Sequence, residues 1–208
     1  MSSLRLTTKR TIQAYTSGSE DYFAEWHRRT YRTPPLLTTW IHQLPKHPQL
    51  LDLGCGLGQD SRYLRQQKFH VVGLDMTWPF LQVARKRSWR LSLVQADIER
   101  LPFLPLTFHG IWAAASLIHT PKSLAPRIFQ ELHDMAKPGG LLGATLLHGK
   151  GSGFLGNQWI PGRFLSKWHK QELHQMMGKA GWEVVFLKTV VNQERKGRWL
   201  NVLAKRKT

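Results

Sequence analysis

The chain has 208 residues, 41% of them apolar, with nine tryptophans, which suits one domain with a sizeable core and is too apolar for a disordered chain. Thirty Lys and Arg against thirteen Asp and Glu leave a formal net charge of +17, a balance that invites anionic partners. One cysteine, Cys55, excludes an internal disulfide, and ten histidines without paired metal-ligand spacing give no zinc site.

At the N-terminus, Met1 to Thr7 has no apolar core of signal-peptide length, and the longest apolar stretch, around Gly110 to Ile118, is far too short to span a bilayer. The expectation is a soluble, cytoplasmic protein without membrane contact. Two short helices follow, Thr11 to Tyr15 and Tyr22 to Trp26, separated at Ser17-Gly18-Ser19. Pro34-Pro35 opens another, in which Leu36 to Leu44 keeps helical spacing until Pro45. Residues 1–45 thus read as a helical region ahead of a main domain at 46–208.

That domain is organised around Gln49-Leu50-Leu51-Asp52-Leu53-Gly54-Cys55-Gly56-Leu57-Gly58-Gln59-Asp60-Ser61, an apolar strand that breaks into alternating glycines and opens a helix. Glycines let a ligand lie against the backbone, and a helix N-terminus offers free N–H groups. Val71-Val72-Gly73-Leu74-Asp75 is the next parallel strand, ending in a carboxylate about 20 residues downstream of the glycines, with Met76 beside it. The two oxygens of Asp75 can accept both hydroxyls of a ribose edge.

A dinucleotide fold wants Gly or Ala where this chain has Gln59, and a phosphate loop wants Lys-Ser or Lys-Thr where it has Gln59-Asp60. Phosphate is therefore a poor guest for this turn. A ligand with a ribose and a cationic or zwitterionic end suits Asp52 and Asp60 better, and S-adenosylmethionine has that chemistry.

Further along, Thr77 to Ala84 reads as a helix, with Thr77 as its cap and Pro79 in the first turn. Leu91 to Gln95 is a third strand, and Phe108 to Ala115 a fourth, apolar enough to be covered on both faces. The fourth ends in Ala115-Ser116-Leu117-Ile118-His119-Thr120-Pro121, with no carboxylate at its tip. His119 is the side chain there that can take a proton near neutral pH, or else a helix-start packing residue, and Ser116 can hydrogen-bond a substrate. Leu124 to Ala136 is an amphipathic helix stopped by Lys137-Pro138-Gly139-Gly140, and Leu141 to Leu147 is strand five. His148 to Gly156 is too glycine-rich for regular structure and, with Arg163 ahead of a helix over Lys167 to Lys179, forms a loop that either faces substrate or merely connects. Gly181 to Leu187 and Arg198 to Ala204 are the last two strands. Alternating strands and helices imply a mostly parallel sheet with helices on both faces.

The basic residues fall into small groups, Arg28-Arg29, Arg85-Lys86-Arg87, Arg195-Lys196 with Arg198, and Lys205-Arg206-Lys207. A dispersed basic surface reads first as solubility and loose attraction to polyanions, with a nucleic-acid partner as the alternative.

Asp52-x-Gly54-x-Gly56-x-Gly58 followed by Asp75 resembles the first two motifs of class I S-adenosylmethionine-dependent methyltransferases, and the likeness runs over about residues 48–206. It is strongest to the broad group of small bacterial enzymes with a Gly-Cys-Gly loop, a Leu-Pro-Phe turn and a Lys-Pro-Gly-Gly stop. The resemblance implies a Rossmann-like doubly wound sheet of seven strands, mostly parallel, with one antiparallel strand near the C-terminus. It implies that Asp52, Gly54, Gly56, Gly58, Asp75, Met76, Asp97 and Ile98 hold S-adenosylmethionine, Asp97 accepting the adenine amino group, or else only capping a turn, and Ile98 covering the ring. It also implies a mobile flap over the cofactor in which Tyr15 and Tyr22 are the aromatic lid residues, the alternative being that they simply pack on the sheet. The chain departs from the pattern at His109, where an Asp usually precedes the glycine, and after strand five, where a glutamate often follows the glycines. The resemblance does not fix a substrate; a short helical region and one glycine-rich loop, both suited to closing over a compact acceptor, favour methyl transfer to a small molecule, with His119 as the catalytic residue and Tyr15, Tyr22, Ser116 and Arg163 on the substrate side. An RNA methyltransferase and a non-catalytic cofactor-binding protein of the same fold are the alternatives.

Overall fold

The computed structural model describes residues 3–28, 30–156, 159–192 and 197–207; Arg29, Arg195 and Lys196, from two of the basic groups, lie outside the described residues. Its strands are β1 (Gln49–Leu53), β2 (His70–Asp75), β3 (Ser92–Gln95), β4 (Phe108–Ala114), β5 (Ala136–His148), β6 (Ser152–Phe154), β7 (Phe164–Trp168), β8 (Trp182–Asn192) and β9 (Gly197–Arg206). Its helices are α1 (Ser3–Ser17), α2 (Ser19–His27), α3 (Pro35–Ile41), α4 (Gln59–Gln66), α5 (Trp78–Arg87), α6 (Ala125–Met135) and α7 (Lys170–Lys179).

The main run of the sheet is β3-β2-β1-β4-β5-β9-β8. Within it β3 to β5 are parallel, β9 lies antiparallel to β5, and β8 is antiparallel to β9. This is the expected Rossmann-like sheet of seven strands in which one strand, β9, runs against the rest. Two further strands bring the sheet to nine: the glycine-rich segment after β5, expected to be irregular, forms β6, which pairs antiparallel with β7, while the end of β7 extends β5 at Leu147 and His148. Glycine carries no side-chain pattern of period two, so backbone pairing in this ribbon has no signature in the sequence. The Lys137 to Gly140 stop is also absorbed into β5, with Phe108 opposite Ala136 and a bulge before Gly110 meets Leu141.

Alternation along the strands sends successive side chains to opposite faces. On one face Leu50, Trp112 and Leu141 pack with Leu36, Leu37 and Trp40 of α3 and Leu64 of α4. On the other, Leu51, Leu53, Ile111 and Ala113 meet Ile128, Phe129 and Leu132 of α6 and Leu173 and Met177 of α7. The buried positions of α6 recur at helical spacing, which is the physical basis of its amphipathic pattern. Two glycines let the tryptophans in: a Cβ at Gly110 would lie 2.6 Å from the Trp40 ring, and one at Gly143 2.8 Å from the Trp112 ring. His109, the departure from the family pattern, accepts the Gln49 N–H at 3.0 Å. That contact sits at the end of β1 and β4 opposite the glycine turn, remote from the chemistry.

Candidate functional site

The carboxyl ends of β1, β2 and β4 converge because their parallel register places Asp52 beside Gly73 and Trp112. The turn after β1 is held by two backbone bonds, from the N–H groups of Gly54 and Cys55 to Leu74 O at 2.7 and 2.9 Å. Gly54, Gly56 and Gly58 all have positive φ, of 72°, 54° and 70°, a region that costs an L side chain energy. At Gly54 the need for glycine is twofold, since a Cβ there would fall 2.3 Å from Ser116 Cβ at the tip of β4.

Asp75 is fastened from both sides. Its Oδ2 accepts the Gly56 N–H at 2.9 Å and its Oδ1 the Thr77 N–H at 2.8 Å. Burial raises its pKa above the usual carboxylate range, and the hydrogen bonds from Thr77 and Gly56 oppose that rise. Thr77 occupies the N-cap position of α5 but makes no side-chain cap bond; its backbone N–H serves Asp75. Each carboxylate oxygen still has acceptor capacity, which a vicinal diol can use.

Beneath the turn lies an acidic pair. Asp52 is 2% exposed and accepts the Ser61 hydroxyl of α4 at 2.5 Å; Asp60 accepts Tyr31 Oη at 2.8 Å and Trp112 Nε1 at 2.7 Å. Burial and then the neighbouring Asp60 push the Asp52 carboxyl upward, against the hydrogen bonds from Ser61.

Above these strand ends is a cavity of about 820 Å³. Helices α1 and α2 roof it. Tyr22 is sandwiched, its ring stacked on Phe80 with centroids 4.5 Å apart and on Trp159 at 5.3 Å. The roof is tied down by the Phe164 N–H donating to Thr11 Oγ1 at 3.0 Å and by the Thr8 hydroxyl donating to Glu99.

A chain of hydrogen bonds crosses the cavity wall. His119 Nδ1 lies 2.8 Å from the Phe164 carbonyl oxygen, which can only accept, so Nδ1 carries the proton. Nε2 is then the acceptor for Tyr15 Oη at 2.9 Å. Arg163 Nη1 in turn donates to Tyr15 Oη at 3.0 Å, while its Nε and Nη2 hold the carbonyls of Ile160 and Trp159. Burial, with Arg163 close by, lowers the His119 pKa to about 4 despite the Phe164 bond, so the imidazole is neutral at pH 7.

Of the residues singled out in the sequence, Gly54, Gly56, Asp75, Met76, Asp97, Ile98, Ser116, His119, Tyr15, Tyr22 and Arg163 all line this one cavity. Asp52 and Gly58 do not. Asp52 is bonded to Ser61 below the turn, and Gly58 caps α4 where a Cβ would lie 3.0 Å from Leu91 and 3.1 Å from Ala84. Sequence reasoning missed Phe80, Trp159 and Lys167, which also line the cavity. Phe80, in the first turn of the helix after Asp75, had a positional signal; the other two had none.

The donor set tests which ligand fits. The carboxylates of Glu25, Asp75, Asp97 and Glu99 line the cavity, and among the described residues its only Lys and Arg are Lys167 and Arg163, the latter bonded to Tyr15 and to the Ile160 and Trp159 carbonyls. Among the described residues no Lys or Arg is hydrogen-bonded to the turn, and carboxylates outnumber cations in the lining, so a pyrophosphate is poorly served, whereas a ribose and a cationic or zwitterionic group are well served. The Ser116 hydroxyl, buried beside Gly54 with no hydrogen-bond partner, is an orphan that a polar ligand group would satisfy.

Residues 50–140 match the family model described as a methyltransferase domain. The chain is 37% identical over 99 residues to the malonyl-[acyl-carrier protein] O-methyltransferase of Enterobacter lignolyticus, a match covering 48% of this chain and 39% of that protein. It is 34% identical over 107 residues to the 2-phytyl-1,4-naphtoquinone methyltransferase of Thermosynechococcus vestitus, covering 49% and 46%. The chain thus spans about half the length or less of these curated relatives. In three dimensions it resembles the Burkholderia thailandensis 1,6-didemethyltoxoflavin-N1-methyltransferase, solved with 1,6-didemethyltoxoflavin and S-adenosylhomocysteine, with a TM-score of 0.82 at 17% identity over 100% of this chain and 92% of that one. At that identity the likeness speaks for the fold.

Proposed function

We propose, from the premise that the chain carries a methyltransferase domain of the class I S-adenosylmethionine-dependent family, that it transfers a methyl group from S-adenosylmethionine to a small-molecule acceptor. The observation that carries this reading is the cavity over the strand ends, in which acidic side chains and the glycine turn adjoin polar side chains beneath one aromatic roof. In the reading, Asp75 takes the ribose hydroxyls, Asp97 and Ile98 the adenine, and the Gly54 and Gly56 backbone with the Ser116 hydroxyl the methionine end. The bound sulfonium supplies an already activated methyl group.

The chain's own contribution is positioning and exclusion of water. Residues 1–45 act as the lid region and 46–208 as the body that it closes, with Tyr22 clamped between Phe80 and Trp159 and Tyr15 anchored to His119 and Arg163. Holding an acceptor at attack distance from an activated methyl supplies much of the acceleration by itself. A roofed space of about 820 Å³ must house both the cofactor and the acceptor, which supports a compact acceptor.

The test combines calorimetry and label transfer. Calorimetry should show binding of S-adenosylmethionine, and incubation with methyl-labelled cofactor should move label into the small-molecule fraction of a cell extract. Absence of binding refutes the cofactor assignment. Binding without transfer to any fraction supports a non-catalytic binder, and transfer to RNA supports the reading that the +17 charge favours.

A further inference from the structure

Three observations bear on how a proton leaves the acceptor, and the inference that follows rests on the methyl-transfer reading above. First, the tautomer of His119 is dictated from outside the cavity, since the Phe164 carbonyl at 2.8 Å must receive a proton and so places it on Nδ1. Second, Tyr15 Oη lies 2.9 Å from Nε2, so the ring's acceptor nitrogen is engaged by the phenol. Third, Arg163 donates to the same phenolic oxygen at 3.0 Å, and since a guanidinium cannot accept a proton, of these two partners His119 is the one that can take the phenol's. Backbone geometry favours the arrangement, since α1 brings Tyr15 over the 3-10 turn at Leu117–His119 while Arg163 immediately precedes β7.

We propose that Tyr15 is the catalytic base, relaying to His119, and that the acceptor is a hydroxyl or N–H compound whose proton must be removed as the methyl group arrives, not a carboxylate that is anionic beforehand. The acceptor's O–H or N–H bond breaks with its electron pair left on the heteroatom, which gives that pair to the methyl carbon as the methyl's bond to sulfur breaks and its pair stays on the sulfur. The released proton goes to Tyr15 Oη as the phenol's own proton passes to His119 Nε2, and the imidazolium so formed stays bonded through Nδ1–H to the Phe164 carbonyl. Arg163 and the phenol both lie close to His119, and Arg163 steadies negative charge developing on the phenolic oxygen. Tyr15 touches the acceptor; His119 acts through it.

The relay is tested in two independent ways. Long-range proton–nitrogen NMR of the histidines at neutral pH should find His119 as the Nδ1–H tautomer, and Tyr15→Phe should move its Nε2 resonance to that of an unbonded acceptor while leaving Nδ1 in place. An Nε2–H tautomer, or an Nε2 resonance indifferent to Tyr15→Phe, overturns the proposal even if no methyl transfer is ever seen. With the extract fraction that accepts label as substrate, Tyr15→Phe should lower kcat by about 100-fold or more, the scale of general base catalysis, with KM changed little. His119→Gln, which can accept the phenol's hydrogen bond but cannot keep its proton, should lose kcat similarly and lose the acid limb of the pH–rate profile. Undiminished kcat in Tyr15→Phe, or a loss confined to KM with the pH profile unchanged, refutes the relay while leaving the cofactor assignment standing. Failure of calorimetric binding refutes the assignment itself.

Discussion

Replacing Gly54 by alanine separates backbone conformation from packing at the root of the site. The φ of 72° at this residue places any L side chain in the left-handed region, a cost of about 1–2 kcal/mol. The new Cβ would also fall 2.3 Å from Ser116 Cβ, and because both atoms sit on short, hydrogen-bonded strand ends the clash can be relieved only by moving backbone, about 1–3 kcal/mol more. Gly54→Ala should therefore destabilise the protein by about 2–5 kcal/mol, each kcal/mol lowering Tm by about 2–4 °C in a chain of this size. Two glycines of the β6 ribbon calibrate the parts. Gly151, with φ 83° and nothing within 4 Å of its would-be Cβ, should show the conformational cost alone, while Gly153→Ala, in an open position without positive φ, should be neutral or slightly stabilising. Ser116→Gly added to Gly54→Ala should restore the packing part, so that the double-mutant cycle, read by urea unfolding, gives a favourable coupling of about 1–3 kcal/mol. A Gly54→Ala protein as stable as the parent, or a cycle without coupling, refutes the account of why this position is glycine.

Asp75→Asn should weaken S-adenosylmethionine binding at least tenfold by calorimetry, since a hydrogen bond to a charged group is worth about 1.5–3 kcal/mol; unchanged affinity would remove Asp75 from the ribose site. His119 titrates in the direction that makes acid destabilising: its folded pKa is lowered from 6.5 to about 4, so the unfolded chain binds the extra proton between those values. Stability from this group is complete above about pH 6.5 and falls as the pH drops toward 4, by at most about 3 kcal/mol because the ring edge borders the cavity; unfolding free energies of parent and His119→Gln compared across that range should show the difference shrinking with acid. Trp112→Phe removes the indole donor from Asp60 at 2.7 Å and should cost about 1.5–3 kcal/mol in urea unfolding, with little effect if Tyr31 alone satisfies that carboxylate. RNA should bind only weakly and detach near physiological salt in a filter assay; tight binding with a log–log slope of about −0.7 per phosphate contact would instead make the basic surface a nucleic-acid site.

The sequence by itself determined the frame: alternating apolar strands and amphipathic helices, glycines where β1 turns into α4, and an acid at the tip of β2. These are legible because each depends on spacing within a few residues, whether the period of a helix or strand or the need for glycine at a positive φ. Only the tertiary structure decided what the conspicuous residues do. Asp52 looked like a ligand group from its place before the glycines, yet the parallel register buries it under the turn against Ser61. Gly58 belongs to the same motif but serves the packing of α4 on Ala84 and Leu91. The β6–β7 ribbon is written in glycines, whose pairing depends on backbone partners and leaves no side-chain alternation to read. Most of all, the contacts among Tyr15, His119 and Arg163 join residues 104 and 148 positions apart. No local pattern encodes such a pairing, because the hydrogen bond depends on where the roof helix and the strand ends come to rest, and only the closed fold settles that.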